Sequence, residues 1–333
     1  MNIKKYIVSM GVTIGLGLSQ SVFANPCIEN VAAIDLGSGS TKMVVAEVDS
    51  CNRKLRKVLA EDSYRVDFFN DLKKSSDSNF SRKIIHKGLN RILELKKKAD
   101  QFNPSRFTIY ATEAFRRANN SSKLFDKVNK YTGVLPVVLS ADEEGTLGLL
   151  AVSVLENLNP SDILIWDIGA GSMQIASMTG DTTKVFQGQF ASETFKNYVI
   201  AKVKQATKTA KQSPNPMSKV EVQIASEVIR ENLNEIPSWI SNHLKLHTGV
   251  IYGIGGVHYH SVRELTGWKN YYTPQDVKRA LSTIVNKDDR QIGGPFPETQ
   301  VTNLILVQEY MKALGVKKVF TQKVNMAYGA LVL

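Results

Sequence analysis

The chain has 333 residues and a formal net charge of +11 at pH 7. A chain of this length suits two domains of ordinary size, each able to bury its own core. Beyond residue 24, no segment is long and apolar enough to span a bilayer, which excludes a spanning helix in that part of the chain. The excess of basic residues favours polyanions as partners. The plainer alternative is that the charge only keeps the protein soluble.

Residues 1–24 are typical of a secretory signal peptide. Lys4 and Lys5 form a basic region, residues 6–18 are apolar, and residues 22–24 form a small-residue cleavage site. The apolar stretch is shorter than the roughly 20 residues that a spanning helix needs. The alternative is an uncleaved anchor. We expect cleavage near Ala24 and a soluble protein that is periplasmic or secreted.

The two cysteines, Cys27 and Cys51, lie in the part of the chain expected to be exported, where disulfides persist. Strands over residues 28–36 and 42–50 would form a hairpin in which Leu36 faces Lys42 and the cysteines face each other. We therefore predict a disulfide at the open end of this hairpin. With both thiols paired, a catalytic cysteine is not expected.

Strands and helices alternate along the chain, which predicts an α/β fold. The first half has predicted strands at 31–36, 42–48, 55–68, 107–111 and 134–139, and helices at 81–100, 113–119, 121–131 and 141–157. The pattern then restarts, with strands at 163–167, 173–179, 184–190, 250–253 and 317–320, and helices at 192–210, 223–235, 274–285, 301–314 and 325–333. We place the domain boundary in the 141–157 helix, giving domains 25–147 and 148–333.

Three apolar strands each break into a glycine-rich turn, within residues 31–42, 163–172 and 250–256. The first two repeat the pattern Asp-Leu/Ile-Gly-x-Gly-Ser, beginning at Asp35 and Asp167. Small residues let backbone N–H groups approach an anion closely. An aspartate beside such a turn is typical of a metal–phosphate site. The repeat predicts a duplicated protein that handles phosphate groups.

Five motifs occur in a particular order, and together they are more specific than any one of them. They are Asp35-Leu-Gly-Ser-Gly-Ser40, Thr112-Glu-Ala-Phe-Arg116-Arg-Ala118, Ser140-Ala-Asp-Glu143-Glu144-Gly, Asp167-Ile-Gly-Ala-Gly-Ser172 and Gly253-Ile-Gly-Gly256. From about residue 30 to 331, the chain resembles the exopolyphosphatase/guanosine pentaphosphate phosphatase family of the actin-like superfamily. The resemblance implies two duplicated actin-like (ribonuclease H-like) α/β domains with mixed sheets and a cleft between them.

The resemblance also implies roles for individual residues. Glu144 matches the family's catalytic glutamate, a general base for the attacking water. Glu143 stays the second candidate, and a role of both acids in stabilising the helix N-terminus is the alternative. Arg116 would clamp a phosphate through its planar guanidinium, while Asp35 and Asp167 would position Mg²⁺. The residues that would cradle phosphates are Gly37, Ser38, Gly39, Lys42, Gly169, Gly171, Ser172, Gly255 and Gly256.

Some positions depart from the family pattern or leave a choice open. Gln174 replaces an acid expected to help with metal and water, and Ala327 stands where the closing motif usually has an arginine. Lys42 has a plainer alternative role as an exposed strand cation. His258 follows the third glycine turn directly, which places it as a candidate for the cleft wall.

The residues and the resemblance together predict an exported phosphohydrolase that releases terminal phosphate from linear polyphosphate with Mg²⁺, and possibly from guanosine pentaphosphate. One alternative is a polyphosphate- or nucleotide-binding protein with weak or no turnover, suggested by Gln174 and Ala327. Another is a nucleoside triphosphatase. Few aromatic residues interleave with lysine runs such as residues 96–98, so we expect no specific nucleic-acid partner. The family often forms dimers, so a homodimer is compatible with the resemblance.

Overall fold

The structure is a computed structural model that describes residues 27–180, 182–206, 213–233 and 236–333. The predicted signal peptide lies outside these residues, as does part of the helix predicted over 192–210. Within the described residues, none of the helices combines the length and the apolar character needed to cross a bilayer.

Two β-sheets with matching strand order form the framework. The first has the order β3-β2-β1-β4-β5 and contains β1 (Ile28–Leu36), β2 (Ser40–Asp49), β3 (Lys54–Arg65), β4 (Arg106–Ala111) and β5 (Val137–Val138). The second has the order β10-β11-β9-β6-β7-β8 and contains β6 (Leu164–Ile168), β7 (Met173–Thr179), β8 (Thr182–Gln187), β9 (Val250–Ile254), β10 (Tyr271–Tyr272) and β11 (Lys318–Thr321).

Each sheet consists of an antiparallel three-stranded meander whose first strand also pairs in parallel with a later strand. β1 pairs antiparallel with β2 and parallel with β4, just as β6 pairs antiparallel with β7 and parallel with β9. Parallel neighbours need a crossover connection, and the helices between the strands supply it. The prediction of a duplicated α/β fold with mixed sheets is confirmed.

Helices cover the sheets and fill the space between them. In the first half they are α1 (Phe68–Lys73), α2 (Arg82–Asp100), α3 (Glu113–Arg117), α4 (Ser122–Thr132) and α5 (Ala141–Glu156). In the second half they are α6 (Ser192–Tyr198), α7 (Lys219–Glu231), α8 (Ser238–Leu246), α9 (Arg263–Leu265), α10 (Pro274–Ile284), α11 (Asp289–Ile292), α12 (Pro297–Leu314) and α13 (Met326–Ala330). The segments Val199–Val203 and Val257–Val262 are π-helical.

The side-chain alternation of the strands divides the core into two outer layers and a middle layer. On β1, Ile34 packs in the outer core of the first sheet, whereas Ala33 packs in the middle layer. On β6, Ile165 likewise belongs to the middle layer, where α5 and α13 pack against each other. Because alternate residues of a strand share a face, Asp35 and Asp167 both face this middle layer. The fold thereby brings the two repeated aspartates toward each other.

The first hairpin differs by one residue from its predicted register. Leu36 faces Thr41 and Asp35 faces Lys42, so the prediction that Leu36 faces Lys42 is wrong. The reason is a tighter turn: the Gly37 N–H donates to the Ser40 carbonyl at 3.0 Å, and β2 begins at Ser40. This register makes Lys42 the direct cross-strand neighbour of Asp35.

The predicted Cys27–Cys51 disulfide is present, with a Cα–Cα distance of 5.3 Å. It lies just beyond the last strand pair, where the Ser50 N–H donates to the Cys27 carbonyl at 2.8 Å. We expect replacement of both cysteines by serine to lower the free energy of unfolding by about 3 kcal/mol, because the unfolded chain regains loop entropy. Urea denaturation of the oxidised protein and the variant would measure this. An unchanged midpoint would show that the hairpin holds without its disulfide.

Other differences concern the ends of elements and short elements. The strand predicted over 134–139 has only Val137 and Val138 in the ladder. The helix predicted from residue 192 ends as an α-helix at Tyr198 and continues as a π-helical turn. Sequence patterns did not predict α1 or β10. The domain boundary at residue 148 falls inside the continuous helix α5 and stays a prediction.

Candidate active site

A cleft of about 800 Å³ opens between the two halves of the chain. Its wall includes all three glycine turns and the first turn of α5. The predicted site residues in this wall are Asp35, Gly37, Ser38, Gly39, Lys42, Glu144, Asp167, Gly169, Gly171, Ser172, Gly255 and Gly256. Among the described residues, Arg116, Glu143 and His258 are not part of the wall. The prediction for His258 is wrong: it is fully buried and hydrogen-bonded to the Tyr272 hydroxyl.

The first two glycine turns have the same internal hydrogen bond. The Gly37 N–H donates to the Ser40 carbonyl and the Gly169 N–H to the Ser172 carbonyl, both at 3.0 Å. Within the described residues, the N–H groups in the middle of each turn have no protein acceptor; they belong to Ser38, Gly39, Ala170 and Gly171. Such consecutive free N–H groups form an anion-binding concavity.

The Ser38 hydroxyl is already engaged inside the first half of the chain. It accepts a hydrogen bond from the Ala114 N–H at 3.0 Å and donates to Glu113 Oε2 at 3.3 Å. Its contribution to an anion site is therefore made by its backbone. These bonds tie the first glycine turn to α3, the helix that also carries Arg116.

Glu144 is the most buried acid in the cleft wall contributed by a helix, with 5% of its surface exposed. The Ser140 side chain caps α5 by accepting from the Glu143 N–H, and Glu143 returns a bond to the Ser140 N–H at 2.7 Å. Glu143 thus completes a capping box and points away from the cleft. One residue later, Glu144 faces the middle layer. The structure separates the two acids that the sequence left ambiguous.

Arg116 contacts Glu144 and anchors it. Arg116 Nη1 lies 2.5 Å from Glu144 Oε2 and donates to the Leu139 carbonyl at 2.6 Å. The contact with Glu144 is a close ion pair between a partly exposed arginine side chain and a buried carboxylate. In this structure Arg116 holds the glutamate, and its expected role as a phosphate clamp stays a prediction.

Three acids of the cleft wall, Asp35, Glu144 and Asp167, are held in an environment that disfavours their charged forms. Burial raises the pKa of Glu144 to about 8, with Arg116 opposing and the charges of Asp167 and Asp35 adding to the rise. Burial raises the pKa of Asp167 to about 6, with Lys42 opposing. The pKa of Asp35 is also raised by burial, against the effect of Lys42, whose Nζ lies 3.5 Å from Asp35 Oδ2. A cation among these acids would favour their ionised forms.

The donor set fits a divalent cation that keeps part of its water shell. Asp35 Oδ1 is buried and has no hydrogen-bond partner. Among the described residues, the only three acid, histidine or cysteine donors within 4.8 Å of one another are Cys27, Asp49 and Cys51, and this group includes the disulfide. Within the described residues, the acids of the cleft therefore do not form such a group of three. Mg²⁺ is commonly bound by one or two carboxylates plus water and phosphate oxygens, and Asp35 and Asp167 suit that role.

The duplication places Lys42 and Gln174 at equivalent positions. Lys42 is the cross-strand partner of Asp35, and Gln174 is the cross-strand partner of Asp167. Gln174 is buried and, within the described chain, is not part of the cleft wall. The second half therefore supplies one carboxylate at this strand pair, and no neighbouring acid.

Gly171 allows the two halves to approach closely. A Cβ at Gly171 would lie 2.3 Å from Glu113 Oε2 and 2.8 Å from a Phe69 ring carbon, both in the first half of the chain. We expect Gly171→Ala to cost roughly 1–3 kcal/mol of stability and to lower activity, because the turn must move away. Gly256→Ala is the matched control, since a Cβ there meets nothing within 4 Å. Equal urea midpoints for the two variants would contradict this account.

Several residues of the site were not predicted from the sequence. Glu113 is buried, with its carboxylate paired to Arg117 Nε at 2.7 Å and standing against Gly171. Glu193, at the start of α6, lies in the cleft wall and pairs with Lys196 at 2.7 Å. Glu113 lies within a motif that the sequence analysis singled out. The position of Glu193 depends on tertiary contacts and has no local signal.

The geometry defines a two-lobed α/β protein of the actin-like fold with a cleft between its two lobes. The Ppx/GppA phosphatase family model matches residues 44–253, which is more than half of the chain. The chain therefore belongs to the Ppx/GppA phosphatase family.

Curated relatives match over parts of their length. Exopolyphosphatase 1 of Mycobacterium tuberculosis is 33% identical over 110 residues, covering 32% of this chain and 31% of the relative. The bifunctional 3-dehydroquinate synthase/phosphatase of Fusobacterium nucleatum is 26% identical over 166 residues, covering 46% of this chain and 24% of the relative. The matches thus span less than a third of the length of either protein.

Solved structures show the same fold along most of the chain. The Ppx/GppA enzyme of Aquifex aeolicus superposes with a TM-score of 0.70 at 19% identity, covering 92% of this chain and 99% of its own. An exopolyphosphatase of Cytophaga hutchinsonii gives a TM-score of 0.69 at 13% identity, with coverages of 91% and 96%. At these identities the likeness establishes the fold, and the activity has to be argued from the site.

Proposed function

We propose that this chain is a phosphohydrolase that removes terminal phosphate groups from linear polyphosphate. The observation that carries the proposal is the position of Glu144, a buried carboxylate held by Arg116 in the wall of a cleft that also contains the three glycine turns and the two repeated aspartates, Asp35 and Asp167. Family membership and the exopolyphosphatase relatives support the substrate class. Guanosine pentaphosphate is a second substrate to be tested.

In the proposed reaction, water attacks the terminal phosphorus, the bond between that phosphorus and the bridging oxygen breaks, and the shortened chain leaves. Glu144 accepts the proton of the attacking water. Its pKa of about 8 without a bound cation lies close to neutral pH, which suits a general base. Free N–H groups of the two glycine turns would stabilise charge on the phosphoryl oxygens.

Asp35 and Asp167 would hold Mg²⁺ in this site. When bound, the cation would neutralise charge on the phosphate oxygens and favour the ionised forms of the nearby acids. Lys42 balances Asp35 from the neighbouring strand at 3.5 Å. Arg116 keeps the Glu144 carboxylate in place, so it acts here as a positioning residue.

A second candidate function is binding of polyphosphate or a nucleotide without turnover. Gln174 favours it, because an amide next to Asp167 brings no charge to a cation and cannot act as a base. Ala327 adds to this, since it is buried in the middle layer and has no charged group to offer a phosphate.

We also propose that the protein is exported and cleaved near Ala24. The basic and apolar pattern of residues 1–24 supports this, as does the Cys27–Cys51 disulfide, a bond typical of oxidising compartments. Intact mass measurement of protein recovered from the periplasm or medium would test it. A mass corresponding to the uncleaved chain would contradict cleavage.

The test of the proposed activity is orthophosphate release by the purified protein with Mg²⁺ from long-chain polyphosphate, guanosine pentaphosphate and ATP. We expect the highest kcat/KM with long-chain polyphosphate. A preference for ATP would instead identify a nucleoside triphosphatase. Binding of polyphosphate without release from any substrate would establish the binding protein.

A further inference from the structure

The cleft wall contains a group of basic side chains that take no part in the proposed proton transfer, although one of them, Lys42, also balances the charge of Asp35. Lys42 comes from β2, His260 from the π-helical segment after the third glycine turn, and Lys323 from the segment between β11 and α13. They therefore come from both halves of the chain. We call this group the basic wall.

An ion pair brings Lys323 to the strand that neighbours Lys42. In the ladder between β2 and β3, Lys42 faces Ser63 and Val44 faces Glu61. Glu61 therefore shares a face with the position opposite Lys42 and lies about 7 Å further along the strand. Lys323 Nζ is 3.8 Å from Glu61 Oε2, so it reaches this strand from the other half.

His260 joins the two lysines electrostatically. Burial, followed by the positive charges of Lys42 and Lys323, lowers the pKa of His260, while Glu264 acts in the opposite direction. His260 is thus close enough to feel both lysine charges. The lowered pKa favours its neutral form, whose ring can still donate one hydrogen bond.

Side-chain exposure rises along the basic wall. The exposed fraction of the side chain is 33% for Lys42 and 64% for Lys323, whereas it is 3% for Asp35, the buried acid next to Lys42. The wall thus extends from the buried acids toward solvent. Lys323 is only loosely paired with Glu61, so its ammonium group can turn to another anion.

We propose that Lys42, His260 and Lys323 form a subsite for the phosphate groups behind the reacting one, and that this subsite makes the cleft selective for long unbranched phosphate chains. The proposal rests on the proposed function for the location of the reacting phosphate. A polyphosphate chain carries charge at every unit and can follow the wall outward. A nucleotide has only a few phosphates before its nucleoside, so it would not make the outer contact with Lys323.

The test compares Lys323→Ala with Lys317→Ala, each assayed with triphosphate and long-chain polyphosphate. Lys317 is a matched control because it is exposed and borders a separate groove of the second half. We expect Lys323→Ala to lower kcat/KM for long chains roughly tenfold, mainly through KM, because a charge-assisted contact is lost. The ratio of long-chain to triphosphate kcat/KM should fall for Lys323→Ala and stay constant for Lys317→Ala.

An unchanged ratio in Lys323→Ala, with wild-type activity on long chains intact, would overturn the subsite and leave the proposed function standing. If the wild type releases no phosphate from any substrate, the proposed function fails and binding of long-chain polyphosphate decides the subsite. Weaker binding by Lys323→Ala than by Lys317→Ala would then support it, and equal binding would overturn it. An ATP arm checks chain selectivity: an equal loss on ATP and on long chains would also overturn it.

Discussion

Replacement of Glu144 by Gln is expected to lower the rate of phosphate release at least about a hundredfold, because the amide cannot accept the proton of the attacking water. The amide keeps the size of the side chain and its place beside Arg116. The drop should therefore appear in kcat. Initial rates of phosphate release at saturating polyphosphate with Mg²⁺ measure it directly.

Glu143→Gln is the matched control, since the two acids are adjacent in sequence and only Glu144 faces the cleft. The control removes a charge from the capping box of α5 and should change the rate by no more than a few-fold. A large loss in Glu143→Gln with a small loss in Glu144→Gln would reverse the assignment of the base.

The second large effect concerns stability without metal. Burial raises the pKa of Glu144 from 4.5 to about 8, so between these values the folded protein holds a proton that the unfolded chain has released. The contribution of Glu144 to the free energy of unfolding is therefore complete below pH 4.5 and is lost as pH rises toward 8. Asp167 acts in the same direction between pH 3.8 and about 6. We expect the EDTA-treated protein to lose stability from pH 5 to 8, by up to roughly 1 kcal/mol per pH unit for Glu144.

Urea denaturation at several pH values, with EDTA or with Mg²⁺, tests this expectation. Glu144→Gln should show a shallower loss with pH, and Mg²⁺ should restore stability to the wild type at pH 8. Glu143→Gln serves as control, because hydrogen bonds from Ser140 lower the pKa of Glu143 and its contribution is complete above pH 5. Identical pH slopes for wild type and Glu144→Gln would contradict the account of a buried, destabilised glutamate.

Local sequence patterns were sufficient to predict the features that depend on residues close to each other in the chain. The turns after Asp35 and Asp167 combine a buried strand with small residues, and each closes on itself within four residues. The Cys27–Cys51 disulfide follows from the hairpin that β1 and β2 form. The one-residue error in that hairpin has a physical cause, since the sequence does not specify how tightly a turn with two glycines closes.

Features that depend on residues far apart in the chain could not be predicted from local sequence patterns. Glu113 meets Gly171 only after the two halves of the chain pack together, and Lys323 reaches Glu61 across the same boundary. The contact of Arg116 with Glu144 likewise forms only where the fold brings α3 and α5 together, while the role of Arg116 as a phosphate clamp stays a prediction. His258 was assigned to the cleft because it follows a glycine turn, but the π-helical turn there directs Tyr259 and His260 to the cleft and buries His258.

The most direct test of the central claim is the product distribution from long-chain polyphosphate incubated with the purified protein and Mg²⁺. Gel electrophoresis of the chains, together with assay of orthophosphate, would follow both products over time. We predict orthophosphate from the earliest times together with gradually shortening chains, as expected for removal of terminal groups. Fragments of intermediate length without orthophosphate, or intact chains that remain bound to the protein, would contradict it.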